Sequence, residues 1–249
     1  MKKRSADLES LWKSVSPGAE TFDPHALPDL PESVRAYLTH AIAAGAPLAS
    51  AVRLRMHGTI KLGRWRKFKA QQVIVRQRGM IWHARLRIGG LSVRGEDRFL
   101  DGEGAMRWDL ARIIPLMRAS GPDITRSAAG RAAAESIWLP SILCSDDVWW
   151  RAGEGNTVHA RFAVDGQAAD LALAVAQGRL HAVSLPRWGN PDGGPFREVP
   201  FGAFVDQEAT FDGYTIPARL RVGWYFDDVA RFDREGKFFE VSIDDAIFR

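Results

Sequence analysis

From Val52 onward the chain alternates. Val52, Leu54 and Met56 are apolar, and Arg53, Arg55 and His57 between them are polar, the period of two expected of a strand with one buried face. The same alternation runs through residues 68–77, 80–88, 91–99 and 104–110, with turn signals at Gly79, Gly89-Gly90 and Asp101-Gly102. It predicts an antiparallel meander of about five strands. Strand character resumes over residues 148–152, 157–164, 168–175, 180–185, 201–211, 214–224 and 232–248. Roughly a dozen twisted strands do not lie in one flat sheet, so the sheet is expected to curl.

The period lengthens in three places. Leu8, Leu11, Trp12 and Val15 stand at helical spacing within residues 5–16, predicting a short amphipathic helix. Residues 31–44 carry Val34, Tyr37, Leu38, Ala41 and Ile42 on one face, with Pro31 at the start and Gly45 and Pro47 beyond the end. Residues 125–139 are alanine-rich and run up to Pro140, where a helix ends or kinks. The fold class that follows is mainly β (α+β): a curved antiparallel half-barrel sheet with a few helices on its concave face. The expected division is an N-terminal amphipathic helix and linker over 1–26 and a single β-rich domain over 27–249.

Composition changes this picture little. With 46% hydrophobic and 26% charged residues the chain is that of an ordinary globular protein. No apolar run approaches the roughly 20 residues that cross a bilayer as a helix. Met1-Lys2-Lys3-Arg4 is followed by Asp7, Glu9 and Lys13 where a signal peptide would be apolar, so no secretion signal is expected. Cys144 is the only cysteine, which leaves no internal disulfide and no thiolate metal cluster; a cytoplasmic location is the expectation. Charge is uneven. Residues 51–100 hold 13 Lys/Arg against 2 Asp/Glu, and residues 201–249 hold 6 against 10. The two regions are expected to neutralise each other across a shared sheet; the alternative is a basic outer surface for an anionic partner. A nucleic-acid partner is not expected, and the sequence sets no oligomeric state.

Three stretches carry a resemblance: Leu30-Pro31-Glu32-Ser33-Val34-Arg35-Ala36-Tyr37-Leu38, then Glu135-Ser136-Ile137-Trp138-Leu139-Pro140, then Gly213-Tyr214-Thr215-Ile216-Pro217 followed by Gly223-Trp224. Together they resemble an uncharacterised bacterial family of unknown function, similar in fold to LolA/LolB-like lipoprotein carriers, over roughly residues 27–248. The resemblance implies a curved antiparallel sheet closed by helices around an apolar cavity, in agreement with the alternation. By fold analogy it implies a hydrophobic ligand.

Chemistry-bearing motifs are few. The chain contains no G-x-S-x-G elbow, H-E-x-x-H helix, P-loop or dinucleotide glycine fingerprint. His57, His83 and His159 share parity with arginines and are expected on the polar face. Cys144 follows Ile142-Leu143 and is expected to be core. Asp97 is the one charge on a strand face otherwise made of Leu91, Val93, Gly95 and Phe99, so it needs a partner, an arginine or a backbone amide. Glu135 stands four residues after Arg131, which gives an exposed salt bridge or, with Trp138, a polar anchor facing the cavity. Trp82, Trp108 and Trp224 fall on apolar parities, as core or as pocket lining. The Gly- and Pro-rich residues 189–195 are expected to form a long turn, a surface loop or a lid.

The expectation is therefore a binding protein for an apolar or amphipathic, lipid-like small molecule, with Trp82, Asp97, Trp108, Glu135, Trp138 and Trp224 as candidate ligand-binding residues. No catalytic residue, cofactor or metal is implied. The alternatives are an enzyme using Asp97 and Glu135 as an acid/base pair in the same cavity, or an interaction module on the basic surface.

Overall fold

The computed structural model describes residues 7–111 and 114–249. The basic start, Met1 to Arg4, and the first two residues of the expected 5–16 helix lie outside the described residues. Two meanders form the sheet. The first is β1 (Ala51–Leu62), β2 (Arg64–Val75), β3 (Gly79–Ile88), β4 (Leu91–Leu100), β5 (Glu103–Leu110) and β6 (Ile114–Ser120). The second is β7 (Trp149–Ala152), β8 (Thr157–Val164), β9 (Gln167–Ala176), β10 (Arg179–Gly189), β11 (Arg197–Phe211), β12 (Tyr214–Trp224) and β13 (Lys237–Phe248). The last strand returns to pair with β1, so both meanders join in one 13-stranded antiparallel sheet, with β6 and β7 at its edges.

The helices explain the curvature. α1 (Leu8–Lys13) and α2 (Glu32–Ala41) precede the sheet, and α3 (Pro122–Ala134) connects its two meanders. α3 starts with Pro122 in its first turn, where the missing N–H costs nothing. Its buried face is Ala129, Ala132 and Ala133, small side chains that let strands approach closely. It packs on β3 to β6 at one end of the sheet and on β8 to β10 at the other. The sheet wraps around it. Val52, Leu54, Met80, Trp82, Leu171, Leu173, Tyr214, Ile216 and Val241, together with Val34, Tyr37 and Leu38 of α2, form one buried core on this concave side.

Several expectations need correction. α1 does not cover the concave face: Leu8 and Leu11 pack with Ala51, Val73, Val75, Ile81 and Leu100, residues of the opposite parity, on the convex face. Phe22, which precedes the second helix, is in the main core, and its backbone pairs with Ala46 and Gly45. The first meander has a sixth strand, β6, which alternation does not announce, since nearly every side chain of this edge strand is exposed. The helix over 125–139 ends at Ala134, and Glu135–Trp138 tightens into a 3₁₀ turn before Pro140. Residues Phe232–Gly236 are a single wide helical turn and not the start of the last strand.

The pairing of β1 with β13 brings some of the opposite charges together, setting Arg55 on Asp245 (3.1 Å) and His57 on Asp244 (2.6 Å). His83 meets Glu96 at 3.1 Å and His159 meets Asp170 at 3.0 Å, so each of these histidines faces a carboxylate from a neighbouring strand on the convex side. No described helix is long and apolar enough to cross a membrane.

Candidate functional site

The helices leave part of the concave face uncovered. Between α3 with its 3₁₀ extension and strands β10 to β13, with β1 and β3 to β5 on its other side, lies a cavity of about 330 Å³, in the size range of small-molecule sites. Its walls are mainly apolar: Ile60, Met106, Ile137, Val183, Leu220, Val222, Phe238 and Phe239, with Phe201 and Trp224 at one side. The turn after β10 contributes Asn190, Pro191 and Phe196, so the glycine- and proline-rich loop borders the cavity. Asp192 fixes that loop by pairing with Arg197 at 2.7 Å and accepting the Gly194 amide at 3.2 Å.

Alternation places the polar residues of the site. On β4 Asp97 lies on the same face as Val93 and Phe99, and α3 lowers Arg131 onto it. Arg131 donates from Nη1 to Asp97 Oδ2 and from Nε to Glu135 Oε1, both at 2.8 Å. Its guanidinium stands 5.1 Å over the Trp82 ring. Gln72, fully buried on the concave parity of β2, donates from Nε2 to the other oxygen of Glu135 at 2.5 Å. The Arg131–Glu135 bridge is thus buried, and the expectation of an exposed one is corrected. Three buried polar atoms at the centre, Asp97 Oδ1, Gln72 Oε1 and Trp82 Nε1, have no hydrogen-bond partner among the described residues.

Burial raises the Asp97 carboxyl above its ordinary range, and Arg131 opposes but does not cancel this. For Arg131 burial favours the neutral form, yet Glu135 and Asp97 outweigh it and hold the guanidinium firmly charged. Both carboxylates of the supposed acid/base pair therefore hold hydrogen bonds from the same cation, and neither faces the other across open space. This geometry is a structural network, and it gives the enzyme reading no support.

Of the six candidate residues, Trp82, Asp97, Glu135, Trp138 and Trp224 border the cavity. Trp138 is anchored by donating from Nε1 to the Pro217 carbonyl at 3.0 Å. Trp108, expected as a ligand-binding residue, does not border the cavity and is buried behind Trp82. Its ring lies flat on Gly95, where a Cβ would sit 2.6 Å from the indole, and it packs against Trp82 with centroids 6.1 Å apart. No histidine borders the cavity. Among the described residues, no group of three or more His, Cys, Asp or Glu side chains is placed to hold a metal ion. The excess of basic residues in the first meander gathers elsewhere, on the convex side, where Arg55, Lys67, Lys69, Arg85 and Arg87 line an open groove of about 1150 Å³.

One site residue escaped the sequence reading. Arg187 follows Val183 and Leu185 on the concave parity of β10 and lines the cavity. It donates from Nε to the Ser127 carbonyl at 3.0 Å, and its guanidinium stands 4.5 Å over Phe201 and 5.0 Å over Trp224. Gly189, two residues on, makes room for this: a Cβ there would run into the Trp224 ring. No carboxylate among the described residues pairs with Arg187. Burial, with the charge of Arg131 adding to it and with Glu135 and Asp97 opposing it only in part, pushes its guanidinium down to about 9. The signal was a charged residue on an apolar parity, hidden because the strand was expected to end at residue 185.

An open, curved antiparallel sheet closed by helices over a largely apolar cavity is the class of protein these features define. The chain belongs to DUF6544, a family of unknown function whose model matches residues 20–232. That match spans all three stretches on which the family resemblance rested. No curated protein matches the chain. Two of the solved structures similar to it illustrate the likeness. A candidate outer membrane lipoprotein-sorting protein domain from Vibrio parahaemolyticus aligns at 10% identity over 80% of this chain and 86% of its own, with a TM-score of 0.41. A LolA superfamily protein from Nitrosomonas europaea aligns at 9% identity over 87% and 92%, also with a TM-score of 0.41.

Proposed function

We propose that this protein binds an apolar or amphipathic small molecule in the concave cavity. One observation carries the reading: the inner face of the sheet is incompletely filled, and the space left over is walled by Ile60, Ile137, Leu220, Val222, Phe238 and Phe239. A ligand entering it would gain roughly 25 cal/mol for each Å² of apolar surface withdrawn from water, less its ordering costs. The carboxylate network supports a binding role over a catalytic one, since Arg131 occupies both Asp97 and Glu135.

Titration with a neutral, polarity-sensitive dye such as Nile red tests this. Saturable binding that shifts tryptophan emission is expected, because Trp82, Trp138 and Trp224 border the space. Trp82 is only 1% exposed and packs under Arg131, so removing it would disturb the fold. Filling the cavity is the cleaner variant. Val222→Trp should abolish saturable uptake while leaving the melting temperature close to that of the parent. Linear, non-saturating uptake by the parent protein would sink the proposal.

A further inference from the structure

We propose that the ligand is an anionic amphiphile and that Arg187 receives its acidic headgroup at the mouth of the cavity. The inference rests on the cavity reading above and specifies its ligand.

The argument starts from the two cavity arginines. Arg131 has its charge answered twice, by Asp97 and by Glu135 at 2.8 Å each. Arg187 is in direct contact with neutral groups only: the Ser127 carbonyl at 3.0 Å, the Ser127 hydroxyl at 3.4 Å, and the faces of Phe201 and Trp224; Glu135 and Asp97 act on it through space without pairing with it. A guanidinium largely withdrawn from water without an anion is unfavourable, and folded chains rarely keep one unless something else supplies the charge. The bonds to Ser127 use Nε and Nη2, so Nη1 remains to be used. The two aromatic rings hold the guanidinium plane, which makes a fork presented to a carboxylate or phosphate in a fixed orientation. The low proton affinity that burial gives Arg187 agrees with a site built to be completed by an anion.

Position and surroundings fit a headgroup. Arg187 stands just before Asn190 and Pro191 of the bordering loop, whereas Ile60, Leu220 and Phe239 lie on β1, β12 and β13, the middle of the strand order. An acidic group on Arg187 would leave an alkyl chain to run along those apolar walls. The nearest negative charges, Asp97 and Glu135, are already drawn to Arg131, and burial biases Asp97 toward its neutral form, so they oppose an incoming anion weakly. Trp82 Nε1, a buried donor without a partner on the same cavity, offers a second hydrogen bond to a ligand oxygen.

The experiment compares three ligands that share one tail: dodecanoic acid, dodecyl phosphate and 1-dodecanol. Each is titrated calorimetrically against the full chain, Arg187→Met and Arg187→Lys. The parent should bind at least one of the two anions about tenfold or more tighter than the alcohol, the scale of one charge-assisted pair. Which anion leads tells a carboxylate ligand from a phosphate one. Arg187→Met should lose the preference and keep the affinity for the alcohol, which also shows that it is folded. Arg187→Lys, which keeps the charge but not the fork, should retain part of it. Equal affinities for all three ligands, or an anion preference that survives in Arg187→Met, would overturn the assignment and leave the cavity reading standing. Failure of every ligand to bind, the alcohol included, would overturn both.

Discussion

Glu96 and Asp97 are neighbours on β4 that point to opposite faces of the sheet, and their environments diverge accordingly. Glu96 lies on the convex side and accepts a hydrogen bond from His83, its register partner on β3, at 3.1 Å. That bond, ahead of the opposing effect of burial, holds its carboxyl below the usual range. Asp97 lies on the concave side opposite Trp82, and burial pushes its carboxyl up. The partners differ in kind. The convex face satisfies its charges with the next strand, as in Arg55 on Asp245, so its ion pairs are local consequences of register. The concave face depends on side chains delivered by α3 and its extension from far along the chain, and it still leaves buried atoms unpartnered. One residue step thus separates a solvated ladder of small effects from a desolvated network of large ones.

The sharpest way to break this contrast is to remove one partner of a carboxylate from each face. Arg131→Met strands two buried carboxylates and is expected to destabilise the fold by about 5 kcal/mol, the upper end for breaking a buried ion pair. His83→Ala, which removes a partly exposed partner of Glu96, should cost under about 1 kcal/mol. Urea midpoints of the two variants decide it, and equal losses would erase the distinction between the faces. Trp138→Ala is next, at about 4 kcal/mol, because a side chain 4% exposed is lost together with its hydrogen bond to Pro217. An unchanged midpoint would move Trp138 out of the core and take one wall of the cavity with it.

A pH series compares the two carboxylates directly. Glu96 is depressed in the folded state, so its contribution is present above its unfolded value of about 4.5 and is lost as pH falls through the folded one. Asp97 is raised, so the stability it adds is fully present below its unfolded value of about 3.8 and is lost as pH rises through the folded one. Glu96→Gln should therefore make the acid limb of stability shallower, by a few tenths of a kcal/mol at most after solvent screening. Asp97→Asn should change the slope in the opposite sense. Urea midpoints across the acid range measure both, and changes of slope in the same direction relative to the parent in the two variants would contradict the assignment of the faces.

The difference between the faces also explains what the sequence made legible. Strands such as Met80 to Ile88 and Tyr214 to Trp224 alternate cleanly because one face is buried and the other wet, and α2 carries its own start and stop signals. β6 was invisible because an edge strand with exposed Ile114, Leu116 and Met117 has no hydrophobic pattern to show. The side of the sheet chosen by α1 was equally hidden, because an amphipathic helix announces that it packs and not on what. Asp97 was recognisable as a charge out of place, and an arginine as its partner was among the answers considered. That Arg131 also takes Glu135, and that Gln72 completes the group, depends on contacts between residues 63 or more positions apart for Gln72 and 34 for Asp97, which no local pattern records. Arg187 required the true end of β10 to be known before its parity meant anything.

The smallest expected effect bears most directly on function. Arg187→Met removes a charged residue from the concave face, and by the pattern set with Arg131 it should be damaging. It should not be. The losses are the hydrogen bonds to Ser127 and the contacts over Phe201 and Trp224, each ring contact contributing about 2 kcal/mol at a desolvated site. Against them stands the relief of a desolvated cation that no carboxylate answers, and an unbranched apolar side chain fills much of the same volume. The two sides nearly cancel, so the urea midpoint should stay within about 0.5 kcal/mol of the parent. A residue that departs from the apolar pattern of its strand, yet whose removal leaves stability unchanged, is being kept for something other than the fold. A loss of more than about 2 kcal/mol would instead make Arg187 a brace between β10 and α3, held in place by Ser127, and would put it in the same category as Arg131.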